Sequence, residues 1–472
     1  MYRKEPPAKL GLQRPNKDAG GETTMVPSIA DAVSGFKRNW TEVISSEELE
    51  KFFQSEGIKW RDRVLTPVRT VQLMLLQVLH GNTAINHLRH LSDLPFTAGA
   101  YCQARKRLPL AILERLRELI NSKLEVEDLG WFGRRIFLID ATTVSMPDEQ
   151  VLQDEFPQPG RQRKGCGFPV AKVVALFHLS SGMLVDFVTG PFRPHDMSYV
   201  KALHRYLSAG DILVADRAYC SYTHFVQLIQ LQVDVLIRKH QRIITDFRPG
   251  REHQTEGGKY GYLYGVARSK WIKAIGKEDQ VIQWFKPRSK SKSVTKEEFE
   301  ALPPSITIRE LRYRVTTPGF RSSEIVIFTT LIDEAEYPAS KIAELYGLRW
   351  EIETNFNHLK TTLKMDVLKT KSVDNIRREL IAYSIIYNLV RLVMIEAAKK
   401  LNRPPDQLSF IDATRWLLES LVKPRPLNII LIPHRPGRRE PRVKKRREKS
   451  YPFMLKSRSE LKVMVQNQQF KA

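Results

Sequence analysis

The 472-residue sequence has few cysteines, no long apolar run and a deficit of acidic side chains. Its three cysteines, Cys102, Cys166 and Cys220, are too few and too scattered for a disulfide framework or a cysteine-based zinc site. The most apolar stretch, residues 380–394, includes Asn388 and is shorter than the roughly 18 uninterrupted apolar residues of a membrane span. The first residues carry no apolar signal core. We therefore expect a cytoplasmic protein that does not enter a membrane.

The excess of basic residues is the unusual feature of the composition. Lys and Arg total 76 against 52 Asp and Glu, which gives a net charge of +24. Residues 434–449 alone hold nine basic and two acidic side chains. Hydrophobic residues make up 42% of the chain, which is enough for ordinary globular cores. A net charge of this size indicates which partners the protein binds and does not indicate its fold. We therefore expect a polyanionic partner, with nucleic acid as the first candidate and an anionic membrane as the second.

The N-terminal part of the chain is predicted to be helical after an irregular start. Residues 1–33 mix proline, glycine and charge without periodicity, which predicts a flexible arm. Apolar residues then recur at helical spacing up to about residue 130, and Thr66 followed by Pro67 is a helix start. Several short helices with a basic last one are typical of a helix-turn-helix DNA reader, and equally of an ordinary bundle with a solvated basic face. The basic residues of that last helix are Arg105, Lys106 and Arg107.

From residue 135 onward the pattern changes to strands. Three apolar runs between residues 136 and 192 come first, and two more, at 211–219 and 234–240, alternate with helical stretches. The first three can pair as a meander, whereas the later ones need crossover helices, which predicts a mixed sheet. Residues 241–309 break the alternation with short strand-like pieces, and we interpret them as an insertion.

A long helix is predicted at residues 339–363, and its polar side chains are unevenly distributed. At 100° per residue, Tyr346, Arg349, Glu353 and Lys360 fall within a stripe about 60° wide, beside the apolar face. One carboxylate between two cations and a phenol suits a phosphate and a metal ion together. The alternative is a set of ordinary ion pairs on a solvated helix.

Two aspartates, Asp140 and Asp216, each end an apolar run. Burying a carboxylate is costly unless something pairs with it, although a lone aspartate at a strand end is more often a turn or capping residue. Together with Glu353 they form a set of three carboxylates, whose oxygen atoms suit hard cations such as Mg²⁺. Two such ions about 4 Å apart can activate a nucleophile and stabilise the leaving oxygen of a phosphoryl displacement.

One spaced motif connects the helix with the two aspartates. The sequence YGLRWEIETNFNHLK contains the pattern Y-x2-R-x3-E-x6-K and follows LIDATTV and VADRAY. In these motifs the chain resembles the DDE transposases of bacterial insertion sequences, most clearly over residues 135–398. The gap of 137 residues between Asp216 and Glu353 is long enough for the β-rich subdomain that members of this family carry at this position.

The resemblance implies an α/β fold with a ribonuclease H-like mixed sheet flanked by helices and a β-rich inserted subdomain. It further implies an all-helical N-terminal domain that binds DNA ends and a basic helical C-terminal region. The expected boundaries are 1–33 for the arm, 34–130 for the helical domain, 131–240 with 310–400 for the catalytic domain, 241–309 for the insertion and 401–472 for the C-terminal region.

The resemblance also implies a chemistry. Asp140, Asp216 and Glu353 would be the catalytic residues and the ligands of two Mg²⁺ ions, with Mn²⁺ as a substitute. Activated water would cut the transposon end, and the freed 3′-OH would attack the opposite strand or target DNA. Since two ends must be paired, we expect a homodimer at work on the bacterial nucleoid. The expected DNA contacts are Tyr346, Arg349, Lys360, Arg105, Lys106, Arg107, Arg161, Arg163, Lys164 and Trp284.

Some residues keep two interpretations. Family members that cut through a DNA hairpin hold a flipped base with an aromatic, usually a tryptophan, but the strand before the helix offers Phe328 and no tryptophan. Trp284 of the insertion is a substitute candidate, and the alternative is a core residue. His195 and Asp196 are expected near the carboxylates, either as supporting residues or as a loop turn.

Three other functions compete with transposition. A nuclease without strand transfer would use the same three carboxylates, and inverted repeats flanking the coding region would argue against it. A non-catalytic DNA-binding protein derived from a transposase would not need the intact set of acids. A glycosidase with two acids would explain neither the net charge nor the cations around Glu353.

Overall fold

The structure is a computed structural model that describes most of the chain between residues 63 and 467. The predicted flexible arm, the basic segment 434–449 and Arg161 lie outside the described residues. The residues left out of the description are 1–62, 93, 124–129, 161, 194, 256–264, 292, 316–322, 421–428, 430, 432–454 and 468–472.

The protein is built around a sheet of nine strands. The strands are β1 (Ile136–Ser145), β2 (Val170–His178), β3 (Leu184–Pro191), β4 (Ile212–Ala215), β5 (Asp234–Arg238), β6 (Ser269–Gly276), β7 (Asp279–Phe285), β8 (Ser305–Val315) and β9 (Ser323–Thr329). Their order across the sheet is β3-β2-β1-β4-β5-β9-β8-β7-β6. β1 is parallel to β4 and β4 to β5, and the other neighbours are antiparallel. The mixed sheet predicted from the sequence is therefore confirmed.

Helices cover both faces of this sheet. They are α1 (Pro67–Leu79), α2 (Ile85–Leu91), α3 (Ala98–Arg107), α4 (Leu110–Lys123), α5 (Gln150–Glu155), α6 (Met197–Val200), α7 (Tyr222–Gln230), α8 (Lys296–Glu300), α9 (Ala339–Gly347), α10 (Glu351–Asn357), α11 (Val373–Leu401), α12 (Phe410–Ser420) and α13 (Arg458–Gln466). Two buried apolar clusters, one on each side of the sheet, form the core.

The N-terminal helices begin where the sequence predicts. The Thr66 side chain accepts a hydrogen bond from the Arg69 amide at 3.3 Å, and Pro67 occupies the first turn, where a missing N–H costs nothing. These helices pack on α11: Arg378 donates to the Leu108 carbonyl at 2.7 Å. The helical N-terminal region therefore shares its core with the C-terminal half of the chain.

The long helix α11 is held against the sheet by polar contacts. Asn388 accepts from the Leu184 amide at 3.0 Å and donates to the Leu184 carbonyl at 2.9 Å. Tyr387 and Arg391 both donate to the Gly182 carbonyl in the β2–β3 turn. Among the described residues it is the one helix long and apolar enough to cross a membrane, but 89% of its most apolar window is buried inside the protein. It is therefore a core helix.

The strands that follow β5 in the chain extend the main sheet. β9 pairs with β5 over three residues, from Leu236 with Thr329 to Arg238 with Ile327, and β8, β7 and β6 follow in turn. Arg309 of β8 is fully buried and makes two hydrogen bonds of 2.8 and 2.6 Å to Asp279 of β7. This bidentate ion pair joins the inserted strands to one another.

Two sequence predictions about individual elements were wrong in detail. The first strand does not end at Asp140 but continues to Ser145. The predicted regular helix at 339–363 is interrupted by a 3₁₀ turn, Leu348–Trp350, and ends in a π turn, His358–Thr362. The 100° rule assumes regular α geometry, so it does not apply across these two turns.

Candidate active site

Asp140 and Asp216 lie side by side at one edge of the sheet. Ile139 of β1 pairs in parallel with Ala215 of β4, and the two aspartates are the next residues of their strands. Neighbouring strands are about 4.8 Å apart, so the backbone positions of the two acids are adjacent. The parallel pairing of β1 with β4 thus brings together two carboxylates that are 76 residues apart in the sequence.

Each aspartate is oriented by a backbone amide. The Ala141 amide donates to Asp140 Oδ1 at 2.8 Å, and the Ala218 amide donates to Asp216 Oδ1 at 2.7 Å. The second contact caps the short 3₁₀ turn Arg217–Tyr219. The Oδ2 atoms make no hydrogen bond with the rest of the described chain, so each carboxylate keeps one oxygen for another partner.

The electrostatics of Asp140 reflect its crowded position. Burial, together with the negative charges of Asp216 and Asp196, raises the pKa of Asp140 to about 6. The Ala141 amide and the Arg349 guanidinium act in the opposite direction. These effects disfavour the ionised form of Asp140. A cation bound beside the carboxylate would favour the ionised form.

Arg349 is a cation that contacts two of the three acids. Its Nη1 atom lies 3.9 Å from Asp140 Oδ2, and its Nη2 atom lies 3.4 Å from Glu353 Oε1. The 3₁₀ turn carries Arg349 and precedes α10, which carries Glu353. Arg349 therefore bridges the first and third of the predicted acids, and Glu353 keeps a side chain that is 49% exposed.

Lys360 and Tyr346 border the acids from the same helical segment. Lys360 Nζ donates to Thr142 Oγ1 at 3.2 Å, which places the amine two residues along β1 from Asp140. Burial lowers the pKa of this lysine. Tyr346 is buried, and burial raises its pKa to about 12, so it stays a neutral phenol. Its hydroxyl has no hydrogen-bond partner in the described structure.

The donor set has the chemistry of a site for hard divalent cations. Asp140 and Asp216 supply adjacent carboxylate oxygens, and Glu353 supplies a third, partly exposed carboxylate, all of the type that Mg²⁺ prefers. Over the described residues no three acidic, histidine or cysteine side chains converge on one point. Glu353 pairs with Arg349 and does not join the two aspartates in this structure.

The structure adds two residues near the acids whose role the sequence did not suggest. Lys172 of β2 pairs with Asp196 at 2.5 Å, so the aspartate of the predicted His195–Asp196 pair faces a cation and not open solvent. Tyr219 is completely buried, and its hydroxyl has no partner in the described chain. Burial raises its pKa, and the charges of Asp140, Asp196 and Asp216 act in the same direction. In the sequence, Tyr219 is distinguished only as an aromatic residue three positions after Asp216.

The basic residues predicted to contact DNA differ in how exposed they are and in whether they already have partners within the protein. Lys106 and Arg107 are exposed at the end of α3, whereas Arg105 donates to Gln77 at 3.2 Å and lies over the Tyr101 ring. Lys164 is exposed in the loop before β2. Arg163 of the same loop is 63% exposed and contacts the C-terminal segment. It donates to the Leu455 carbonyl at 2.8 Å and pairs with Glu460 at 3.4 Å.

Trp284 is buried in one of the two apolar clusters that form the core. Only 7% of it is exposed, and its ring meets Tyr222, Phe225 and Phe328 at centroid distances of 5.2–5.4 Å. These edge-to-face contacts are those of a packed aromatic. The packing alternative therefore fits Trp284 better than a contact with a flipped base, because DNA cannot reach the ring.

The fold and the acidic edge together define an α/β protein with a carboxylate site bordered by cations, the arrangement expected for chemistry on phosphate esters. Comparison with known proteins gives the family. A family profile described as "Transposase DDE domain" matches residues 131–389, and the chain belongs to this family. It is a DDE transposase of the insertion-sequence kind, for which DNA is the partner and divalent metal ions are generally used.

Individual relatives are distant. Transposase InsG for insertion sequence element IS4 of Escherichia coli strain K12 is 23% identical over 383 residues, which cover 76% of this chain and 79% of the relative. The transposase for insertion sequence element IS421 of Escherichia coli is 23% identical over 71% of this chain and 88% of its own length. A solved piggyBac transposase synaptic complex with hairpin DNA aligns at a TM-score of 0.45 and 11% identity, over 84% of this chain and 81% of that one.

Proposed function

We propose that the protein binds the ends of its insertion sequence, cleaves them by metal-dependent hydrolysis and joins the resulting 3′-OH to target DNA. The proposal is supported by the parallel pairing that sets Asp140 beside Asp216, and by Arg349, which contacts both Asp140 and Glu353. The strand order β3-β2-β1-β4-β5, with β2 antiparallel to β1, supports a ribonuclease H-like core for this chemistry.

The three carboxylates would hold the metal ions. Bound there, divalent ions would supply an activated water and charge stabilisation for a phosphoryl displacement. Asp140 and Asp216 are already oriented by backbone amides, so little rearrangement is needed at these two residues. Glu353 is exposed enough to leave Arg349 and turn toward the aspartates.

The cations of the helical segment would hold the DNA. Arg349 presents a planar guanidinium that suits bidentate contact with a phosphate, and Lys360 offers a point charge beside β1. Tyr346 has a buried hydroxyl without a partner, which would donate to a phosphate oxygen only if the segment opened to expose it. Lys106 and Arg107 at the end of α3 would contact the transposon end from the helical region, and a homodimer would pair two ends.

The test is metal-dependent nicking of a duplex that contains the element's end. Asp140→Asn, Asp216→Asn and Glu353→Gln should each abolish nicking in Mg²⁺, while Glu344→Gln, on an exposed turn of α9, should nick like the wild type. Wild-type nicking by all three variants would refute the assignment. Nicking followed by joining to a second duplex identifies a transposase, and nicking alone identifies a nuclease without strand transfer.

A further inference from the structure

A basic cavity of about 350 Å³ opens beside the acidic edge, on the side of the insertion. Its walls carry four cations, Arg217, Arg238, Lys239 and Arg312, and one carboxylate, Glu324. The remaining lining is neutral, and no aromatic ring lines it among the described residues. A volume of this size accommodates a small ligand of roughly one nucleotide.

The strand register places this cavity next to the candidate active site. Ala215 of β4 pairs with Ile237 of β5, so Arg238, the last residue of β5, lies at the level of Asp216, the residue after β4. Arg217 is the residue after Asp216. On the neighbouring strands β1, β4 and β5, the residues Asp140, Asp216 and Arg238 therefore lie in spatial order, two acids and then a cation.

The cavity's positive charge is poorly compensated. Arg238 has no hydrogen-bond or ion-pair partner in the described chain, and Arg217 donates only to the neutral Gln241 at 3.1 Å. Lys239 donates to a backbone carbonyl, and burial lowers its pKa. Arg312 alone has a carboxylate partner, Glu278 at 2.9 Å.

Nearby acids do not neutralise these cations. Glu324 pairs with Arg314, outside the cavity, at 2.9 Å. Glu310 lies behind Lys239, but it is buried and burial raises its pKa, which favours the neutral form. Three cations without carboxylate partners in a partly enclosed space form a site for an anion.

We infer that this cavity is a second phosphate-binding site, which holds a phosphodiester group of the DNA strand next to the one positioned at Asp140 and Asp216. The inference rests on the proposed function, because it needs DNA at the acidic edge. A backbone phosphate and not a base is the ligand, because the described walls offer guanidinium and ammonium groups and no ring for stacking. Arg238 is the central contact, since it adjoins the acids and has no other partner.

The first experiment measures binding of a fluorescent end-containing duplex in EDTA as a function of salt concentration. Arg238→Gln should weaken binding about 10-fold and reduce the salt slope by about 0.9, because one phosphate contact is lost. Lys270→Gln, which removes an exposed cation from the distant strand β6, is the matched control and should change neither. Arg217→Gln repeats the test on an exposed side chain in case Arg238→Gln does not fold.

The second experiment locates the phosphate. Single methylphosphonates, which remove one phosphate charge, are placed in turn around the cleavage site. At one or two positions the wild type should lose about 10-fold in affinity, and Arg238→Gln should lose nothing further. Equal losses for both proteins at every position, or an Arg238→Gln variant that binds like Lys270→Gln, would overturn the inference. The nicking assay with Asp140→Asn judges the proposed function separately, since it does not depend on the cavity.

Discussion

Replacing Asp140 with asparagine should stabilise the protein at the same time as it abolishes catalysis. The carboxylate is largely buried, with 25% of its side chain exposed, and its pKa is about 6 in the folded protein against an ordinary value of 3.8. Above pH 6 the folded protein therefore carries a charge that the unfolded chain accommodates more easily. Asparagine keeps an Oδ1 atom for the Ala141 amide and removes the charge.

The size of the effect follows from the pKa difference. A folded-state pKa of about 6 in place of 3.8 corresponds to ~3 kcal/mol of unfolding free energy at pH 8. For an acid with a raised pKa, the stabilising contribution is present below the unfolded value and is lost as the pH rises through the folded value. The advantage of Asp140→Asn should therefore be full at pH 8 and fade by pH 4.

Urea unfolding in EDTA, at pH 8, 6 and 4, measures this effect. Asp154→Asn, at an exposed position in α5, is the control and should not change the unfolding free energy at any of the three pH values. If Asp140→Asn is no more stable than the wild type at pH 8, or if its advantage persists unchanged at pH 4, the electrostatic account of Asp140 is incorrect.

Three further predictions concern DNA binding and stability. Arg349→Gln and Lys360→Met should each lower the salt slope of end binding by about 0.9, and an unchanged slope would show that the residue does not touch phosphate. Burial lowers the pKa of His204 to about 3, so the free energy of unfolding should fall as the pH drops from 6.5 toward 4. Unfolding measured across this pH range should show a less steep fall in His204→Phe. Arg309→Met should cost ~3–5 kcal/mol in urea unfolding, because Asp279 stays buried without its partner; a loss under ~1 kcal/mol would contradict this.

The acids of the candidate site could be predicted from local sequence. Asp140 and Asp216 stand out because each follows a continuous apolar run, and parallel strands align such positions at one edge. Glu353 and Arg349 share one side of a helical segment, and the structure places them 3.4 Å apart. Their roles in catalysis stay a prediction from the sequence, but their proximity to one another is a structural finding.

Other features depend on contacts that no local pattern encodes. The 3₁₀ and π turns around α10 arise where the segment packs, so regular helical spacing cannot place Lys360, whereas the structure shows its amine at Thr142. The cavity around Arg238 needs the pairing of β5 with β9, which are separated by the whole insertion. The Lys172–Asp196 pair likewise joins a strand to a loop that follows the next strand.

The pairing of β5 with β9 has a consequence for how such chains can change in length. The polypeptide leaves the core along one strand and returns along its antiparallel neighbour, so the two attachment points stay together whatever lies between them. Doubling the length of a connection costs only about 0.6 kcal/mol in closure entropy. The loops that connect β6, β7 and β8 can therefore be lengthened without moving Asp216 relative to Glu353, which makes them natural places for grafting.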